Sequence, residues 1–243
     1  MSRPDHDLTD VLRRLGSLPV SRHTVRSVVD SLAEQASDVL GVAPAASVTV
    51  LAEGPARTVA ASADLALQLD GVQYRDDAGP CLDAARRGGP VGAVSGQGDR
   101  WPRFGQALAD SGCDSVWSHP LPLDSPVVGS LNLYLPAGVD PDERTTAAAI
   151  AEGAAAPVAN VWLYEEAVRT TENLRAALES RSVIEQAKGI LMERMKLTSG
   201  AAFDTLVRIS NDTNTKLRDV AEALVRTGTI PPDGTMRRTP GPR

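Results

Sequence analysis

Toward the carboxyl end of the chain, apolar residues recur three and four positions apart, and short polar clusters interrupt the pattern twice. Val183, Ile184, Ala187, Ile190, Leu191 and Met195 fall on one helical stripe. The spacing predicts a second helix with Thr198 or Ser199 as N-cap, burying Ala202, Phe203, Leu206 and Val207 and stopped by Ser210, Asn211 and Asp212. A third helix starts near Asn214 or Thr215, buries Leu217, Val220, Ala221, Leu224 and Val225, and ends at Gly228 ahead of Pro231 and Pro232. The long stretch before these, from Pro141 to Leu191, has no internal proline except Pro157 and is rich in Ala, Glu, Leu and Arg. It predicts one helix entering the terminal bundle, bent at Pro157.

The first two thirds of the chain alternate between helical and strand patterns. Val25, Val28, Val29, Leu32, Ala33, Ala36 and Leu40 mark a helix over 20–40. The β-branched runs 46–52 and 56–62 flank Glu53-Gly54-Pro55 as a hairpin. A short helix carrying Leu65, Leu67 and Leu69 follows, then a capped helix over Gly79–Gly89, a strand over Pro90–Val94 and a helix over Trp101–Gly112. Two long strands, 115–123 and 127–135, are joined by Asp124-Ser125-Pro126. Four or five antiparallel strands with flanking helices make an α+β domain. Five segments result: a flexible arm with one short helix (1–19), a sheet domain (20–165), a helical linker (166–180), a three-helix bundle (181–228) and a disordered basic tail (229–243).

Charge separates the two halves. Residues 1–167 hold 12 arginines against 22 carboxylates, a net of −10, whereas residues 168–243 hold 13 basic against 9 acidic side chains, a net of +4. All three lysines, Lys188, Lys196 and Lys216, lie in the basic part. Two explanations stand: a polyanion-facing module, or a solvated helical surface with a few extra cations. Placement favours the first. Arg181 and Lys188 are seven residues apart and point the same way, with Glu185 and Met192 on the same face. Lys216 and Arg218 open the third helix, where cations oppose the helix dipole unless an anion sits there. Gly189, in mid-helix, costs about 1 kcal/mol relative to Ala; it implies a close approach, either by a ligand or by another helix.

Three blocks in this order, IEQAKGILMER (184–194), AAFDTLVRIS (201–210) and NTKLRDVAEALV (214–225), resemble the ANTAR module, a three-helix RNA-binding domain of bacterial transcription antiterminators. The resemblance spans residues 181–226; Met195-Lys196 departs from it where many relatives have a His-Gly or Gly-type turn. It implies binding to a leader RNA with two short hairpins, so that a terminator does not fold. Carried over by position, Arg181, Lys188, Lys216 and Arg218 contact phosphates or loop, Ala187 and Gly189 permit close approach, and Asn214 reads a base or caps the helix. The segments YRDDAGPCLDAARRGGPV, RWPRF and SVWSHPLPL, with the α+β pattern around them, resemble a GAF domain of the kind found in actinobacterial GAF and ANTAR proteins. That implies a signal-sensing sheet domain whose concave pocket holds a small molecule or nothing.

The ligand candidates on that domain are Tyr74, Cys81, Trp101 and Trp117, with Tyr134 beside them, each of which equally suits a core position. Cys81 and Cys113 form no metal or redox motif, and three histidines offer no cluster, so no metal and no cofactor are implied. The first lysine is Lys188, which excludes a P-loop or Schiff-base lysine before it, and no hydrolase string occurs; no enzyme is expected. No apolar run suits a signal peptide or a membrane span, which gives a cytoplasmic expectation. Leu163, Thr170, Ala177, Ile184 and Leu191 step by seven, a homodimer signal. Two functions remain at this level: an RNA-binding antitermination regulator with a sensor domain, or a small-molecule-binding or protein-interaction dimer whose bundle docks a protein.

Overall fold

The computed structural model describes residues 8–52, 54–96, 100–123 and 127–229. It divides into two compact units, Met1–Glu166 and Ala167–Arg243. The expected tail lies outside the described residues apart from Thr229, as do Glu53 and Asp124–Pro126 of the two proposed turns.

The first unit is built on a five-stranded antiparallel sheet in the order β2-β1-β5-β4-β3. Its strands are β1 Ala45–Leu51, β2 Arg57–Ala61, β3 Val91–Val94, β4 Cys113–Pro120 and β5 Val128–Pro136. Alternation divides the sheet into two faces. One face carries Val48, Val50, Leu131, Leu133 and Leu135 and packs on helix α2 (Val25–Leu40) and the first part of helix α6 (Pro141–Met195). Helix α2 starts later than predicted because Thr24 and Ser27 form a reciprocal capping box, and it ends on Gly41 in the left-handed conformation.

The one short helix expected in the arm lies at residues 8–16, but it is packed into the core rather than flexible. These residues form helix α1 (Leu8–Gly16), with Val11 and Leu15 3% and 1% exposed in the core. A Cβ on Gly153 of α6 would lie 2.3 Å from the Leu12 side chain, so α6 is glycine where α1 crosses it. The polar composition and the breakers Pro4, Gly16 and Pro19 mask this packed stripe in the sequence.

The other face of the sheet is covered by α3 (Asp64–Arg75), α4 (Pro80–Arg87) and α5 (Pro102–Asp110). Pro80 and Pro102 stand in the first turn of their helices, where a missing N–H costs nothing.

In the second unit, α6 continues to Met195, and residues 166–180, expected as a helical linker, are part of it. Helices α7 (Ser199–Asp212) and α8 (Leu217–Thr227) complete the bundle. Its core is Ala187, Leu191, Ala202, Leu206, Val220, Ala221 and Leu224. Three expected core positions differ: Met195 is 53% exposed, Phe203 is 39% exposed and Val207 is only half-buried. The stripe through Ala202 and Leu206 suffices against two partner helices, and Phe203, one position round from Ala202, turns out of it.

Candidate functional site

The bundle's candidate RNA-binding residues fall into three groups. Arg181 and Lys216 are exposed and have no ion pair among the described residues. Lys188 and Arg218 are engaged: the Lys188 ammonium lies 2.9 Å from Glu185, and the Arg218 guanidinium donates to Glu222 at 2.7 Å and lies 3.6 Å from Glu179. Only 13% of the Lys188 side chain is exposed. Ala187, by contrast, is fully buried among the three helices, which corrects its assignment as a surface that admits a ligand; its small side chain lets the helices approach.

Gly189 separates its two readings. It is exposed, and a Cβ there would meet nothing within 4 Å, so no helix of the bundle requires glycine at this position. Asn214 is not the cap of α8. The N-cap is Lys216, which makes no side-chain capping bond, while Asn214 takes φ +47° in the turn after α7, a conformation Asn tolerates better than most residues. Lys196 likewise has φ +53°, which explains physically why a Gly-type turn suits this point in similar sequences. The turn is closed from the other side by Thr198, whose hydroxyl accepts from the Ala201 N–H. Arg194 donates to the Gly228 carbonyl and so ties the end of α6 to the carboxyl end of α8, where a cation is favoured.

The sheet domain holds a second constellation, which sequence reasoning found only in part. On the face under α3 and α4, Ser47, Thr49, Ser118, Ser130 and Asn132 are all buried, with Asp70 and Gln73 of α3 above them. Asp70 receives the Tyr134 hydroxyl at 2.5 Å on one oxygen and the Thr58 hydroxyl at 2.7 Å on the other. Gln73 donates to Tyr134 at 3.0 Å and accepts the Cys81 N–H at 2.9 Å. A Cβ on Gly79 would lie 2.3 Å from the side-chain amide oxygen of Gln73, so this close seat needs glycine. Tyr74 bridges Thr58 at 2.8 Å and Thr49 at 3.0 Å, and Asn132 donates to Thr49 at 2.9 Å. A hydroxyl has one proton to give. Since Thr58 spends its proton on Asp70, Tyr74 donates to Thr58 and Thr49 donates to Tyr74. Two donor chains therefore converge on one buried carboxyl.

Burial pushes the Asp70 carboxyl above its usual 3.8, against the opposing pull of the bonds from Tyr134, Thr58 and Ser47. Burial and the nearby Asp70 charge raise Tyr74 and raise the Cys81 thiol well above its usual value. A thiol so held is a poor nucleophile and a poor redox centre, which favours the packing role. Tyr74 and Cys81 thus meet in one cluster, whereas the other two aromatic candidates do not join it. Trp117 packs into the core on the opposite face of the sheet, and Trp101, half-buried at the start of α5, has the Arg100 guanidinium 4.5 Å from its ring. An open groove of about 660 Å³ lined by Asp30, Glu34, Asp38 and Ser62 is separate from the cluster. Among the described residues no group of His, Cys, Asp or Glu is placed to hold a metal ion, and no helix is long and apolar enough to cross a membrane.

Family models match both units: a GAF domain over residues 22–158 and an ANTAR domain over residues 172–225. No curated protein matches the chain significantly. Solved structures similar to part of the chain include CepR2 from Burkholderia cenocepacia, an N-acylhomoserine lactone dependent LuxR family transcription factor. It is 17% identical over 64% of this chain and 98% of its own, with a TM-score of 0.45. The GAF domain of an Acinetobacter phosphoenolpyruvate-protein phosphotransferase is 14% identical over 67% of this chain and 97% of its own, with a TM-score of 0.43. A phycoerythrobilin-bound GAF domain from a cyanobacterial phytochrome is 14% identical over 66% and 98%, with a TM-score of 0.39. On the extent of the GAF match and the order of the two domains, the chain belongs to the family of GAF domain proteins that carry a C-terminal ANTAR domain.

Proposed function

We propose that the chain is an RNA-binding transcription antitermination regulator, whose ANTAR bundle binds paired hairpins in a leader RNA and whose GAF domain receives the signal. The observation that carries this reading is the ANTAR match over residues 172–225 on a folded three-helix bundle with Arg181 and Lys216 exposed and unpaired among the described residues. Unpaired cations contribute more to phosphate binding than cations already held by carboxylates, because no ion pair must be broken. Arg181 and Lys216 are therefore the main phosphate contacts, Lys188 and Arg218 exchange a carboxylate for phosphate on binding, and Gly189 admits the RNA backbone.

Pairing of hairpins calls for two bundles, and a second copy of the chain supplies the other. Support comes from α6, where Val168, Leu174 and Leu178 are 39%, 57% and 64% exposed. The seven-residue series read in the sequence serves this only at its start, because Leu191 is buried in the bundle core and Ile184 packs against it. On the sensing side, the buried polar cluster around Asp70 offers a small molecule hydroxyl, amide and carboxyl partners in place of the chain's own. The reading has cytoplasmic residence and no catalytic step.

A gel-shift with the leader RNA of neighbouring genes tests it. The wild-type chain retards the RNA in a salt-sensitive way, and Lys216→Ala with Lys188→Ala loses that retardation. Equal retardation by the variant, or none by the wild type at low salt, contradicts the reading.

A further inference from the structure

The aromatic ring that the sequence pattern assigns to the core points outward instead. Phe203 is 39% exposed, and Met192 and Met195 are 37% and 53% exposed. Helical geometry places all three on one face. Lys188 and Met192 lie about 100° and 140° round α6 from the core residue Ala187, and Phe203 and Val207 lie about 100° and 140° round α7 from the core residue Ala202. Three residues, Lys196 to Thr198, join the two helices, so they run antiparallel. Equal rotations in the same sense on two antiparallel helices that face each other lead to the same side of the pair. Arg181, about 120° round from Ala187, joins that side. Helix α8 takes the other side: it meets α6 through Arg218 with Glu179 and through Arg194 with the Gly228 carbonyl, and both α6 residues lie in the opposite sense from Ala187.

An exposed aromatic ring with two cations in line along the same side of the helix pair suits a nucleic acid whose base is free of its helix, since such a base offers a π-face and the phosphates along its strand offer charge. A hairpin loop provides both; a stem, with its bases stacked inside, provides only the phosphates. We propose that Phe203 is a stacking platform for an unpaired base of the hairpin loop, with Lys188, about one turn away along α6, holding an adjoining phosphate and Arg181, two turns further, a phosphate beyond it. This rests on the RNA-binding reading above and assigns the loop, rather than the stem, to the α6–α7 face. Val207, one turn on from Phe203, and Met192 extend the apolar surface on this side, which a stacked base would cover.

The test uses the full chain and labelled hairpins of one fixed stem, with loop sequences selected on the wild-type protein from a randomised pool. A second probe has the same stem closed by an abasic loop. Phe203→Leu loses roughly 5- to 150-fold in affinity for the selected hairpins, the range of one stacked base. It is unchanged on the abasic probe and keeps the wild-type slope of log affinity against log salt, and Phe203→Trp restores binding. Because the ring is exposed, amide exchange in the bundle of Phe203→Leu matches the wild type and separates lost contact from lost fold. Wild-type affinity in Phe203→Leu overturns the stacking role and leaves the RNA-binding reading intact; the exposed patch then belongs to a protein partner. Binding of the hairpins by the wild-type chain without selection of any loop overturns the stacking role alone, and failure to retain any hairpin at low salt overturns both.

Discussion

Replacing Gly189 by alanine separates what the bundle needs for stability from what it needs for binding. Glycine in an exposed helix interior is about 0.8–1.0 kcal/mol less favourable than alanine. At this position nothing offsets the gain, because the added Cβ has no heavy atom within 4 Å and the backbone is helical. Gly189→Ala therefore stabilises the bundle by about 1 kcal/mol, which slows its amide exchange about fivefold where exchange follows unfolding. Hydrogen exchange read by mass spectrometry resolves this in the full chain, through peptides of α7 and α8. Tryptophan fluorescence supplies the internal control: Trp101, Trp117 and Trp162 all lie in the first unit, so the denaturant midpoint of that signal stays where it is. The same substitution weakens RNA binding, since a methyl group now stands where the ligand backbone approaches. A stabilised bundle that binds less well is the signature of a residue retained for function. Unchanged or faster exchange in Gly189→Ala refutes the open-surface account, and unchanged RNA affinity refutes the approach.

Further consequences can be checked separately. Leu206→Ala removes a fully buried side chain from the centre of the bundle and costs about 2–5 kcal/mol, read as loss of exchange protection in α7 and α8, while Leu206→Met costs little. For Asp70, burial raises the folded carboxyl above 3.8, so the native state keeps a proton that the unfolded chain releases. Stability conferred by that proton is lost as pH rises from 3.8 to the folded value, at about 1.4 kcal/mol per pH unit, and is level beyond it. The stability of Asp70→Asn relative to wild type thus rises with pH across that window in urea titrations followed by tryptophan fluorescence; parallel curves exclude it. Leu174→Glu with Leu178→Glu places carboxylates on the exposed stripe of α6; on the proposed pairing of two copies, sedimentation gives a dimer for the wild type and a monomer for the variant, with circular dichroism unchanged.

Much of the fold is legible in the residues, for identifiable reasons. The bundle's stripes, the sheet strands and the long α6 are set by periodicity, which needs only the chain itself. The packed helix at residues 8–16 is not, because its short stripe is framed by polar and breaking residues and its burial depends on Leu12 meeting Gly153 far along the chain. Phe203 shows the limit of apolarity as a guide: a three-helix bundle has room for the Ala202–Leu206 stripe, and the neighbouring ring is left outside it. The buried cluster was half visible through Tyr74, Cys81 and Tyr134. Asp70, Thr58 and Asn132 come together only through strand register and the seating of α3, and a single acidic residue inside an amphipathic helix carries no mark of burial. Ala187 and Gly189 illustrate a finer point, since small residues two positions apart with similar meaning in the sequence face opposite ways, one into the core and one into solvent.

The central claim is that cations of the C-terminal bundle hold RNA phosphates. Its most direct test is the affinity of the full chain for a hairpin RNA across a range of salt concentrations. Log affinity falls linearly with log salt at about 0.7–0.9 per phosphate engaged, and Arg181→Ala or Lys216→Ala each makes the line shallower by about one such step. A flat line, or no retained RNA at low ionic strength, contradicts it.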